Sequence, residues 1–310
     1  MTLNDSINNR KGILFMLAAM AGFTIEDAFI KQLSSSISIG QILMVIGFCS
    51  AVFFALMAVS RGHRLLAPHV WTRTTCIRMV AEAIAALAFV TSLSLVPLST
   101  VAAVFQVTPL TITMGAALFL GESVGWRRWT AVCVGFIGVL LIIRPGFGGF
   151  NPSVLWVLLA VLGVAVRDLA TRVIPSNVES SIISFQAFSS LVVAGGLCLL
   201  VSSQVMAPLA GDTLVYFGCA IVFSMSGYYA IVSAMRVGNA SIVASFRYSR
   251  LLFSLLVGVL IFDEQVDSLT LVGSAIIIGT GLYTFLREHR LVTQRRKALR
   301  PLDETVKDAG

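Results

Sequence analysis

Eight ionisable side chains stand inside runs of apolar residues long enough to cross a bilayer: Glu26, Asp27, Arg78, Glu82, Arg167, Asp168, Arg247 and Arg250. At bilayer depth a charge costs roughly 2.5–3.5 kcal/mol on insertion scales, so it turns to a bundle interior or to water and serves a purpose there. Arg78 and Glu82 are spaced i,i+4 and pair on one helix face, as a structural ion pair or as part of a binding site. Arg247 and Arg250 are spaced i,i+3, share a face and lie deep in their run. Two neighbouring cations call for anions, either Asp27, Glu82 or Asp168 across a cavity, or an acidic or electron-rich group on a substrate. Asp27 and Asp168 have two readings. They are gates or proton carriers, with Glu26 and Arg167 beside them, or they are charges that end their helices, since Ser34-Ser35-Ser36 and Pro175-Ser176-Asn177 follow closely.

Aromatic residues near these charges, Phe105, Phe246, Tyr228, Tyr229 and Tyr248, either stack on a flat ring or simply pack. Pro109 kinks its run and frees a carbonyl toward a cavity. Glu122, Asp263 and Glu264 close helical hairpins at opposite faces and read as helix-end contacts. Enzymatic chemistry has no visible toolkit: there is no Gly-rich phosphate loop, no HExxH and no gathered Ser/His/Asp set. The five cysteines and three histidines show no metal-ligand spacing, so neither metal nor other cofactor is expected.

The elements that position these groups follow from composition. The chain has 310 residues, is 57% hydrophobic and only 12% charged, with mean hydropathy +0.92. That excludes a soluble domain. Ten apolar runs predict ten membrane helices, at about 12–31, 39–60, 74–95, 98–119, 126–144, 153–173, 181–201, 213–235, 240–262 and 269–287. The first is too long for a signal peptide and carries Glu26 and Asp27. Sixteen of the 22 Lys and Arg fall in segments on the N-terminal side of such a bundle, against Lys31 and Arg144 on the other. Basic residues collect on the cytoplasmic side, which predicts two cytoplasmic termini. The net charge of +7 then reflects anionic lipid headgroups met by the basic tail, residues 288–310, and implies no nucleic-acid partner.

The chain is also written twice. A shift of 141 positions sets Leu14 on Leu155, Gly22 on Gly163, Asp27 on Asp168, Lys31 on Arg172, Phe105 on Phe246, Leu110 on Leu251 and Gly138 on Gly279. The two repeats cover 12–144 and 153–287. Each holds five spans, an odd number, so the second enters the membrane from the opposite side and the repeats are inverted.

The stretch Leu98-Ser-Thr-Val-Ala-Ala-Val-Phe-Gln-Val-Thr-Pro109-Leu, running to Gly121-Glu122, resembles the signature of the drug/metabolite transporter superfamily in its ten-helix EamA-type branch. Gly135-Phe-Ile-Gly138 fits it as well, and the second half repeats it through Ala240-Ser241-Ile242, Phe262-Asp263-Glu264, Gly273 and Gly279. The second half departs from it where Arg247 and Arg250 replace Gln106 and Pro109. This Arg-rich ninth helix is similar to a bacterial subgroup with riboflavin importers and S-adenosylmethionine carriers. The resemblance implies an all-α, multi-pass protein of the bacterial inner membrane that moves a small molecule by alternating access, as monomer or homodimer. Riboflavin uptake is the first expectation, with amino acids, S-adenosylmethionine or another metabolite as alternatives. A non-transporting membrane scaffold is the competing class, but it needs neither the duplication nor the buried charges. The site residues expected from all this are Arg247, Arg250, Tyr248, Gln106, Asp27, Asp168, Arg78, Glu82, Glu26, Arg167 and Tyr228.

Overall fold

A computed structural model describes residues 3–121, 125–145, 150–175, 178–202, 206–209, 211–237, 245–283 and 286. Every regular element among them is helical. Inside a bilayer no water satisfies a backbone N–H or C=O, so each span must close its own hydrogen bonds. The helices are α1 (Leu3–Leu33), α2 (Ile39–Ser60), α3 (Arg73–Leu95), α4 (Leu98–Phe105), α5 (Thr108–Phe119), α6 (Trp126–Ile143), α7 (Val154–Val173), α8 (Ser180–Ser202), α9 (Asp212–Val237), α10 (Ser249–Phe262) and α11 (Ser268–Tyr283). α4 and α5 together make the fourth span, and a short 3-10 turn, Ser245–Tyr248, leads into α10 in the ninth. Seven spans are long and apolar enough to cross a membrane by length and composition alone, and shorter apolar helices supply the others. The basic tail and the joint 238–240 lie outside the described residues.

Caps set the helix limits where the sequence offers them. Ser38 accepts the Gln41 N–H at the start of α2, and Thr72 with Thr75 forms a capping box at the start of α3. The fourth span breaks between Phe105 and Thr108. Pro109 has no N–H to give the Phe105 carbonyl and its ring crowds that carbonyl, so the helix cannot run through. The Thr108 hydroxyl takes the carbonyl instead, at 2.5 Å.

Most spans find their main partner in the other half. α1 packs on α9, α2 on α8, α3 on α7 and α4 on α10. α6 meets α11 where Gly138 and Gly273 cross; a Cβ on Gly138 would stand 2.8 Å from the Gly273 carbonyl. Such contacts let backbones close where lipid supplies no hydrophobic drive. Pairing in this pattern is what an inverted two-fold produces: α1 with α9 is mirrored by α7 with α3.

Contacts between distant segments sort into two layers. At one end Gln41 exchanges two hydrogen bonds with Ala207, at 2.7 and 2.8 Å, Lys31 donates to the Val96 carbonyl at 2.8 Å, and Arg144 pairs with Asp267. At the other end Gln186 donates to the Val70 carbonyl at 2.8 Å and His63 meets Glu179 at 3.9 Å. We call these the Lys31 face and the His63 face. The described helix ends alternate between the two faces as ten crossings require, and the fold is ten transmembrane helices in two inverted five-helix repeats. Polarity is inverted too. Gln41, Ser50, Thr75, Gln186 and Ser254 are buried, whereas Leu56, Val80, Leu162, Val193 and Val201 face outward into lipid.

Candidate functional site

Between the two faces the membrane-depth charges gather into two groups. In the first, Arg250 of α10 donates to Asp27 of α1 at 2.7 Å, and Asp27 keeps only 3% of its surface exposed. Three rings enclose the guanidinium, with centroids at 5.5 Å (Phe23), 5.8 Å (Phe89) and 5.9 Å (Phe105). A desolvated cation gains from aromatic faces on several sides. Glu26 lies beside this pair and looks toward Ser224 of α9. Asp27 is not a helix-ending residue, since α1 continues through Leu33.

The second group lies toward the His63 face. Arg167 of α7 donates to Asp168 at 2.8 Å and to Glu82 of α3 at 3.0 Å. Arg78 meets Glu82 at 3.5 Å along the same helix and donates to Thr171 at 2.9 Å. Glu82 is therefore held by two arginines, one from each half. Asp168 stays 35% exposed, far more open than its repeat-mate Asp27. The two aspartates thus occupy matching places but unlike surroundings, because the position that would answer to Arg250 in the first half is Pro109.

Arg247 and Arg250 do not act as one face. The 3-10 turn separates them, and Arg250 goes to Asp27 while Arg247 lies within electrostatic reach of Asp168 and Arg167. Arg247 is exposed and has no hydrogen-bond or ion-pair partner among the described residues. Its repeat-mate Gln106 is half-buried at the end of α4, at the matching helix break. Tyr248 packs on α11, with its hydroxyl filling the space that a Cβ on Gly281 would take. Tyr228 accepts the Ser184 hydroxyl at 2.8 Å and sets its edge against Phe54. Tyr229 is 72% exposed on the outward stripe it shares with Val222 and Val215, so it faces lipid and not a cavity.

Sequence reasoning missed three neighbours. Phe23 lies one turn before Asp27 on the same face, a spacing that signals it, but Phe89 and Thr171 come from other helices and carry no local signal. Among the described residues no group of His, Cys, Asp and Glu can hold a metal ion.

Comparison with known proteins agrees with this architecture. Residues 10–144 and 151–286 match the EamA-like transporter family. The chain is similar to an S-adenosylmethionine uptake transporter of Rickettsia conorii, 28% identical over 66% of this chain and 69% of the relative. A protein of the same name in Rickettsia prowazekii is 24% identical over 96% of this chain and 100% of the relative. A riboflavin transporter of Rhizobium johnstonii is 28% identical over 90% of this chain and 92% of its own length. One crystal structure superposes with a TM-score of 0.55 at 16% identity, over 94% of this chain and 99% of the other, a likeness of fold alone. With both repeats matched, this chain belongs to the EamA-like transporter family.

Proposed function

We propose that the chain takes up a small metabolite across the bacterial inner membrane by alternating access, with both termini cytoplasmic and the repeats 12–144 and 153–287 as its two moving halves. The observation that carries this reading is Arg247, an exposed cation in the 3-10 turn before α10 that has no hydrogen-bond or ion-pair partner among the described residues and lies between two otherwise paired charge groups. An unpaired guanidinium at membrane depth is costly unless a ligand completes it. Asp168, half-open beside it, offers the opposite charge. A cation and an anion side by side suit a substrate that carries a carboxylate and an ammonium. S-adenosylmethionine has both, and relatives named for its uptake support the choice. Riboflavin is the second reading. Its electron-rich ring edge accepts hydrogen bonds from Arg247, and a full-length relative is named for it.

The test is uptake of labelled S-adenosylmethionine and of labelled riboflavin into proteoliposomes holding the full chain or its Arg247→Ala variant. Saturable S-adenosylmethionine uptake, reduced roughly tenfold or more in the variant, is expected for loss of a charge-assisted contact. Uptake of riboflavin alone would replace the substrate and keep the carrier. Uptake of neither, from folded protein, would remove both substrates. Uptake unaffected by the substitution would remove Arg247 from the site.

A further inference from the structure

The Lys31 face is held by a carboxylate that ties the second half of the chain to the first. α4 begins after Pro97, whose side chain cannot cap it, so the first amides of the helix have no local acceptor. Glu264, from the joint between α10 and α11, supplies one. Its carboxylate accepts the Leu98 N–H at 2.5 Å, the Ser99 N–H at 2.9 Å and the Ser99 hydroxyl at 2.7 Å. Lys31 at the end of α1 stands 3.6 Å from the same carboxylate and donates to the Val96 and Leu93 carbonyls at 2.8 and 3.3 Å. The Glu264 side chain is only 8% exposed. A carboxylate at a helix N-terminus, hydrogen-bonded by amides and paired with a cation, is strongly held.

Two features of α10 place that carboxylate. Asp263 takes the left-handed conformation, φ +50°, and the Glu264 N–H returns to the Gly258 carbonyl at 3.0 Å, so the chain folds back over its own last turn. Gly258 leaves the room, since a Cβ there would stand 2.6 Å from Glu264 Oε2. The left-handed residue that ends the fourth span is Gly121, φ +67°, and the glutamate after it, Glu122, lies outside the described residues.

We propose that Glu264 is a latch that shuts the Lys31 face of the empty protein. This rests on the alternating-access reading above and assigns its resting state. Asp27, the site charge nearer that face, is buried, whereas Asp168 toward the His63 face is half-open.

The experiment is distance measurement by pulsed electron paramagnetic resonance on the full chain in lipid, without substrate. The five native cysteines are replaced by serine, and spin labels are placed at Leu95→Cys and Gln265→Cys, both exposed at the Lys31 face. The parent is expected to give one short distribution. Glu264→Gln, which removes the charge, and Gly258→Ala, which displaces the carboxylate but keeps it, should each add a longer one. The expected rise in the long-to-short ratio is about tenfold, the equivalent of about 1.4 kcal/mol. If both variants, eluting as folded protein, keep the parent's distribution, the latch is overturned. If Glu264→Gln does not fold, Gly258→Ala decides alone by the same criterion. No transport enters this readout, so a failed uptake assay overturns the carrier reading and leaves the latch to be judged here.

Discussion

Among the described residues Asp27 has a single cation in contact, Arg250, and that cation comes from the other repeat across 223 positions of sequence. Removing one partner of a buried pair leaves the other uncompensated, at about 3–5 kcal/mol, whereas removing both is often nearly neutral. Arg250→Ala is therefore expected to lower thermal stability in detergent by an amount of that order, along with uptake. Asp27→Asn combined with Arg250→Gln should recover most of the stability. Uptake then separates the roles. If the double variant is stable but inactive, Arg250 or Asp27 takes part in translocation; if uptake returns with stability, the pair is structural. The three phenylalanines around Arg250 make it unsuited to meet a substrate without rearrangement, which distinguishes it from the open Arg247.

At the scale of elements, the breaks in the fourth and ninth spans recur at matching positions with different causes. In the fourth, Pro109 removes the amide, and in the ninth, with no proline present, a 3-10 turn, Ser245–Tyr248, stands directly before α10. The hydroxyls that take the freed carbonyls are repeat-mates: Thr108 with Phe105 at 2.5 Å and Ser249 with Phe246 at 2.6 Å. Their worth should differ. At Phe105 no residue-109 amide exists, so Thr108→Val leaves a carbonyl at membrane depth with no replacement donor, at about 1–3 kcal/mol. At Phe246 the following residues all carry amides, so Ser249→Ala should cost less. Melting temperatures of the two variants in one detergent check this. Equal losses would mean that proline is not what makes the hydroxyl necessary.

The whole molecule was legible in outline because its two largest signals are one-dimensional. Apolar runs give spans, and a constant shift of 141 residues gives two halves whose odd span count inverts them. Pro109 marked a break in advance. What depends on helix packing was not legible. Nothing in sequence spacing says that Arg247 and Arg250, three residues apart, part company at a turn without proline. Glu264 was recognisable as a helix-end residue, but the end it caps lies 166 positions away. Tyr229 and Tyr228 are adjacent, yet one faces lipid and the other the interior, a choice made by how α9 rotates against α1. The same long reach governs Arg144 and Asp267, which tie the end of α6 to the start of α11 at the Lys31 face. Burial works to raise the Asp267 carboxyl, but the Thr270 amide and the Arg144 guanidinium outweigh it and hold it below its ordinary 3.8. A carboxyl lowered by folding contributes stability that is fully present above its unfolded value and is lost as pH falls through its folded value. Asp267→Asn should therefore reduce the melting temperature at pH 7, and the gap to the parent should close as pH falls below about 3.8. The Asp267 side chain is 51% exposed, so the gap should be small, within about 1 kcal/mol, and smaller in high salt. A gap that persists unchanged at low pH would mean that Asp267 acts through its Thr270 cap and packing, and not through its charge.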